Sequence, residues 1–421
     1  MLLKFDYGNK KLRLDLNKKN IERIITSKRH GILEDPADKI KEKLNAPIAS
    51  DSLPELLRKN EPEDILIIVN DISRPTPYRK ILPPLLNKIH SLGYQKEDIR
   101  FLVATGVHDK HSLNENKEVL SENVAKNYEI ISHNADKNNS FVKTLSTGND
   151  LYINKIVLEA DFIITTGVIK PHYLAGYSGG RKSLLPGVCG RNTINNNHKL
   201  MIDIFENNKN PAQLNDNPIH NEMLEAADLV KIDFIVNVLT NSDGEITDVI
   251  AGNWHEAWKK GVQKCKNKYH VPIQFPSDLT IASAGGYPRD INLYQAHKAL
   301  EHAIRATKKG GTIILIAECS KGFGHETFEK WIKSADSYEQ LKDKLEEKFI
   351  LGGHKAFALA NIARDYNLVL ISSLSKKETK QAFFRKKETI KKALKEFKPL
   401  DANLRINILP AAAEVVPEIK T

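Results

Sequence analysis

The sequence predicts an α/β protein of two domains, each with a mainly parallel sheet, and an active-site cleft between them. Three observations carry this. At 421 residues the chain is long for one hydrophobic core. Short apolar runs rich in Ile, Leu and Val alternate with stretches of helical length, the pattern of strands covered on both faces by helices. The polar residues that carry chemistry gather just past the ends of those runs, where parallel sheets bind their ligands.

The chain opens on a hairpin, Leu2–Asp6 and Lys11–Leu16, turned through Gly8-Asn9. A polar helical stretch follows. Ile65–Val69 reads as a buried strand that runs out into Asn70-Asp71-Ile72-Ser73-Arg74-Pro75-Thr76-Pro77, where two prolines enforce an extended exit. A helix is expected next, with Pro83 and Pro84 near its start. Ile99–Ala104 is a strand ending in Thr105-Gly106-Val107-His108, and Phe162–Thr165 ends in Thr166-Gly167 shortly before His172. Phe234–Leu239 and Ile246–Ile250 complete an N-terminal domain, 1–270. Pro272 and Pro276 bracket the boundary. The C-terminal domain, 271–421, has strands at Leu279–Ser283, Thr312–Ala317, Leu368–Ser372 and Arg405–Leu409, with helices at Leu293–Thr307 and Tyr338–Glu347. For the last residues, Pro410–Thr421, packing back onto the first domain and fraying both stay open.

Composition excludes several classes. Hydrophobic residues make up 41% and charged residues 28%, ordinary for a globular protein. No apolar run approaches the ~20 residues of a membrane span, and the N-terminus lacks a signal-peptide pattern. The net charge of +10 comes from scattered lysines with no basic tract interleaved with aromatics. No nucleic-acid or membrane partner is expected, whereas a small anionic ligand suits the charge. Cys189, Cys265 and Cys319 lie far apart without disulfide or metal spacing, so a reducing cytoplasm is expected.

The segment Lys170-Pro171-His172-Tyr173-Leu174-Ala175-Gly176-Tyr177-Ser178-Gly179-Gly180-Arg181-Lys182 concentrates the chemistry. Gly176, Tyr177, Ser178, Gly179 and Gly180 form a loop able to turn successive N–H groups onto an anion, helped by a helix if Arg181–Leu185 opens one. It is neither a P-loop nor a dinucleotide fingerprint. Lys182 is a surface lysine, a phosphate counter-ion or a nucleophile joined to a cofactor; the residues alone leave that open. His108 and His172, at equivalent strand exits, suit proton transfer to one substrate from two sides. His198, flanked by polar residues, is a candidate metal ligand whose other donors would have to come from elsewhere. Arg74 suits a carboxylate clamp, with Asp71 to orient it. In the second domain, Asp290 or Asn292 caps a helix on which Tyr294, Gln295 and Lys298 share one face, offering donors to a carboxylate. His297 points elsewhere.

Taken jointly, these motifs resemble the nickel-dependent lactate racemase family. The resemblance covers nearly all the chain: Asp71-x-x-Arg74-Pro75, Gly106-Val107-His108, Pro171-His172, Ala175 through Lys182, Leu185-Pro186-Gly187, Asn197-His198-Lys199, Gly285-Gly286-Tyr287-Pro288, Tyr294-Gln295-x-x-Lys298-Ala299-Leu300 and Glu318-Cys319-Ser320. It implies a nickel-pincer nucleotide, a pyridinium-3,5-bisthiocarboxylic acid mononucleotide derivative, joined to Lys182 through a thioamide. It implies His198 as the protein's nickel ligand and His108 and His172 as the two acid/base groups. Arg74, Gln295 and Lys298 would orient the substrate, and Asp71 would support the site. The implied reaction inverts C2 of a 2-hydroxy acid by passing its hydride to the cofactor and back, and it needs separate enzymes to build the cofactor. Many relatives carry arginine where this chain has Asp109, which leaves the identity of the acid open. Two other readings compete: a lysine Schiff-base enzyme, and a phosphate- or nucleotide-binding two-domain sensor without catalysis.

Overall fold

The structure is a computed structural model describing residues 1–27, 31–207, 209–397 and 404–420. The chain forms two units, Arg29–Asn267 and Met1–Lys28 with Lys268–Thr421.

The first unit is built on a six-stranded sheet in the order Ile246–Gly252, Phe234–Thr240, Phe162–Val168, Ile65–Asn70, Ile99–Ala104, Glu129–Ser132. All neighbours run parallel except the edge strand Ile246–Gly252, which turns back antiparallel on Phe234–Thr240. Ile67, Val69, Phe101, Ile164 and Val236 share a core with helix residues Ile40, Leu44, Ile81 and Leu85. The chain leaves Ile65–Asn70 toward one edge of the sheet and later returns on its other side with Phe162–Val168. That reversal is a topological switch point, the place where open parallel sheets bind ligands beyond the carboxyl ends of their strands.

The helix Tyr78–His90 carries Pro83 and Pro84 in its interior, not near its start as expected. A proline deprives the carbonyl four residues back of its partner. Those carbonyls belong to Arg79 and Lys80, residues exposed to water. The true start follows Pro77, whose carbonyl accepts Lys80 N–H at 2.9 Å, and Tyr78 there is buried, its hydroxyl receiving Asn70 N–H at 2.5 Å.

The second unit holds a six-stranded, wholly parallel sheet in the order Arg385–Lys386, Asn367–Ile371, Thr307–Ile316, Ser277–Ser283, Ile406–Leu409, Ile21–Ile24. The expected N-terminal domain of 1–270 therefore differs at its start. The strand Ile21–Ile24 closes the C-terminal sheet, and Leu3, Phe5, Leu14 and Leu16 of the opening hairpin pack with Ile281 and Ile316. Ile21-Glu22-Arg23-Ile24 is a half-polar edge strand, which a periodicity reading mistakes for helix. Val416–Ile419 pairs in parallel with His270–Ile273, so these C-terminal residues form a strand and do not fray. Among the described residues no helix is long and apolar enough to cross a membrane.

Candidate active site

Asp71 is the first residue beyond the central strand. Its carboxylate is 3% exposed and accepts from Ser73 Oγ at 2.8 and 3.0 Å and from His108 Nδ1 at 2.5 Å. A carboxylate only accepts, so His108 donates from Nδ1, and in the neutral ring the lone pair lies on Nε2. Burial opposes the Asp71 charge most strongly, yet the His108 contact, with help from Ser73 and Arg74, holds its pKa below the ordinary carboxylate value. The strand-exit turn places His108: its N–H donates to Thr105 O at 3.0 Å, and Gly106, at φ +58°, donates to Gly187 O at 2.9 Å. Arg74 stands on the same exit loop, exposed, its N–H closing a turn on Asp71 O at 3.0 Å.

His172 leaves the neighbouring strand Phe162–Val168 through a short ribbon in which Pro171–His172 pairs with Gly176–Tyr177. Its Nδ1 accepts the backbone N–H groups of Leu174 and Ala175 at 3.3 and 3.2 Å. Backbone N–H groups only donate, so the neutral His172 ring carries its proton on Nε2. The two histidines are thus held in opposite tautomers.

The anion loop expected at Gly176–Gly180 takes a different form. Tyr177 N–H donates to Ala175 O at 2.8 Å, Ser178 N–H to Lys170 O at 2.9 Å and Gly180 N–H to Asn237 Oδ1 at 2.8 Å. These donors are spent on the protein. The glycines serve close packing instead: an added Cβ would lie 2.5 Å from Leu214 at Gly176, 2.6 Å from Asn237 Oδ1 at Gly179 and 2.8 Å from Trp258 at Gly180. The expected helix after the loop is a 3-10 turn, Gly180–Ser183.

That turn buries two cations side by side in sequence. Arg181 is fully buried; it donates to Ala175 O at 2.8 Å, Tyr177 O at 3.1 Å and His220 Nδ1 at 2.8 Å, and lies 3.8 Å over the Trp258 ring. Trp258 in turn donates to Ser178 O at 3.0 Å. Sequence reasoning missed this brace, because Asn237, Trp258 and His220 stand far along the chain with no local motif. Lys182 is 7% exposed, and its amine has no hydrogen-bond or ion-pair partner among the described residues. Burial first, then the Arg74 and Arg181 charges, push its pKa well below the ordinary lysine value.

His198 stands on the helix Arg191–Lys199. Its Nδ1 donates to Ile194 O at 2.8 Å, which in the neutral ring leaves the lone pair on Nε2. Burial, then the Lys182 and Arg74 charges, lower its pKa to about 4, so it is neutral at pH 7 and able to ligate a metal. The same charge interactions tie His198, Lys182, Arg74 and Asp71 to one neighbourhood. Asn197 steadies the helix by donating to the buried Glu222 at 2.7 Å. Among the described residues no group of three His, Cys, Asp or Glu side chains forms a metal site.

In the second unit, Asn292 caps the helix Leu293–Ala303 by accepting Gln295 N–H at 2.9 Å, as expected. Lys298 Nζ donates to Gln295 Oε1 at 2.9 Å. The Tyr294 ring stacks on His325 with centroids 4.9 Å apart and meets Lys355 Nζ at 4.4 Å. Lys355 also donates to Tyr294 O at 3.1 Å, a brace that sequence reading did not find. His297 turns inward to the half of the helix that carries Glu301, 2.7 Å away.

Residues 7–209 match the family model described as lactate racemase N-terminal domain, and residues 273–416 match lactate racemase C-terminal domain. The lactate racemase of Thermoanaerobacterium thermosaccharolyticum is 32% identical over 98% of both chains. That of Lactiplantibacillus plantarum is 37% identical over 72% of this chain and 71% of its own. The solved lactate racemase apoprotein from T. thermosaccharolyticum superimposes with a TM-score of 0.90, covering 99% of this chain and 100% of that one. A Thermotoga maritima protein of 19% identity shares the fold, with a TM-score of 0.65 over 93% of this chain and 100% of its own. With matched domains at both ends and a relative alike along almost its whole length, the chain belongs to the lactate racemase family of isomerases.

Proposed function

We propose that the protein inverts C2 of a 2-hydroxy acid, with lactate the first candidate, using a nickel-pincer nucleotide bound covalently at Lys182. The observation that carries this is the Lys182 amine: buried, unpartnered, and set among cations. A buried ammonium whose two neighbouring cations outweigh its one neighbouring carboxylate, Asp71, is costly. A thioamide link removes the charge, and an anionic nucleotide balances Arg181 and Arg74. His198 fits as the single protein ligand of a metal whose remaining donors belong to the cofactor. When bound, that group supplies the acceptor and donor for the C2 hydride.

The chain's own residues do the rest. Arg74 binds the substrate carboxylate. In one direction His108 Nε2 takes the hydroxyl proton, and Asp71 stabilises the imidazolium that results. The C2 centre becomes flat in the 2-keto acid. A protonated His172 would return a proton from Nε2 to the alkoxide oxygen of the inverted acid. In the other direction the two histidines exchange roles. The Asp71 contact to His108 Nδ1, which in the neutral ring leaves Nε2 for the base, supports the role of His108. On the resemblance, Tyr294, Gln295 and Lys298 add contacts to the substrate; Lys298→Ala is expected to raise KM about tenfold while kcat changes less. The cofactor comes from dedicated biosynthetic enzymes, and the cysteine usage supports a reducing cytoplasm. The test is to incubate single enantiomers of lactate, malate and longer 2-hydroxy acids with cofactor-loaded, nickel-replete protein. Loss of optical purity for one of them is expected. Persistent purity for all, with loading verified, refutes the reading.

A further inference from the structure

We propose that His111 is a positioning residue that latches the exit loop carrying Asp71 and Arg74 onto the exit loop carrying His108. The inference rests on the roles assigned above to those three residues, and it adds one that no motif picks out.

Ile72 lies between Asp71 and Arg74, and its N–H points at His111 Nε2, 3.0 Å away. On the other side of the ring, Nδ1 lies 3.1 Å from Asn116 Oδ1. The backbone N–H can only donate and the amide oxygen can only accept. The ring is therefore the neutral tautomer with its proton on Nδ1, and both nitrogens are used. His111 is itself held from two sides. Its own N–H donates to Ser132 Oγ at 3.1 Å, at the end of the strand Glu129–Ser132. Asn116 is 8% exposed on the helix Leu113–Leu120, whose start is closed by a Ser112–Glu115 capping box.

The consequence is geometric. Besides Ser73 Oγ, which lies 3.4 Å from the same His108 nitrogen, two contacts of the Asp71 loop reach the neighbouring exit: the carboxylate to His108 Nδ1 at 2.5 Å and the Ile72 N–H to His111 at 3.0 Å. The first belongs to the chemistry and changes with every proton transfer. The second does not take part, so it keeps the loop in place while the first is remade. Ile72, Ser73 and Arg74 are all exposed, so little packing substitutes for this bond. Arg74, on the far side of Ile72, inherits its position from the same tie.

The experiment compares wild type, His111→Ala and His111→Gln in two forms. Glutamine places an amide oxygen near the position of Nε2 and can still accept the Ile72 N–H. In the apoprotein, hydrogen exchange at Ile72 is read by mass spectrometry on peptides that isolate it. In cofactor-loaded enzyme, kcat and KM are measured for the acid that wild type inverts. A lost hydrogen bond of ordinary strength corresponds to about a tenfold change. His111→Ala is expected to speed Ile72 exchange about tenfold or more and to lower kcat/KM about tenfold, with KM rising as Arg74 loosens. His111→Gln is expected to restore both to within about threefold. Unchanged exchange in His111→Ala, unchanged kcat/KM, or equal damage in His111→Gln overturns the proposal. If loaded wild type inverts no acid, the functional reading fails, and Ile72 exchange alone decides whether the latch exists.

Discussion

Asp71→Asn preserves the shape of a side chain that is 3% exposed while removing its charge. Two effects follow at His108. With the amide oxygen facing Nδ1, the tautomer survives but the imidazolium loses its partner. A hydrogen bond to a charged group contributes about 1.5–3 kcal/mol, and about 1.4 kcal/mol is tenfold in rate. The first effect alone thus lowers kcat by roughly ten- to a hundredfold. With the amide nitrogen facing Nδ1, the ring proton moves to Nε2 and the base is lost, a fault that costs about 10⁴ in comparable His–Asp pairs. The expected fall in kcat is therefore about 10–10⁴. Enantiomers have equal free energies, so the equilibrium constant of a racemisation is one. kcat/KM must then fall equally for both hands, even though His108 acts as base in only one direction. The assay is chiral detection of product from each pure enantiomer, normalised to nickel and to the Lys182 adduct. A loss smaller than tenfold at unchanged loading refutes the role given to the Asp71–His108 pair.

Other consequences are open to direct measurement. Lys182→Met in the apoprotein removes a buried, unpartnered amine and is expected to stabilise the fold by about 1–3 kcal/mol at neutral pH. Because the folded-state pKa of Lys182 is lowered, the penalty of keeping its proton is full below that value and fades as pH rises toward the unfolded value of about 10.4. The gain, read by urea titration, should therefore shrink between neutral pH and pH 10; a gain that grows with pH contradicts the burial argument. Gly180→Ala places a Cβ 2.8 Å from Trp258 at φ +52° and is expected to cost about 2–4 kcal/mol. An unchanged urea midpoint would show that the loop does not rest on that ring.

The inner strands of both sheets were legible because buried parallel strands read as runs of Ile, Leu and Val, as in Ile65–Val69, whereas the polar edge strands Glu129–Ser132 and Arg385–Lys386 were not. Asp71, Arg74 and His108 stood out as candidates because they sit at strand exits, where polar side chains interrupt such runs. Long-range partners were not. Nothing near Gly179 and Gly180 announces Asn237 or Trp258, so a packing requirement looked like an anion loop. Ile21–Ile24 escaped notice because its pairing partner, Ile406–Leu409, lies near the other end of the chain. His111 was overlooked beside His108 for a related reason: its function depends on a backbone N–H of another loop, which carries no side-chain signature.

The most direct test is intact-mass and metal analysis of wild type, Lys182→Ala and His198→Ala, each produced together with the cofactor-building enzymes. The expected result is one nucleotide adduct and nickel in wild type, neither in Lys182→Ala, and in His198→Ala the adduct retained with nickel diminished. An adduct that survives in Lys182→Ala, or nickel that is unaffected in His198→Ala, would contradict the account.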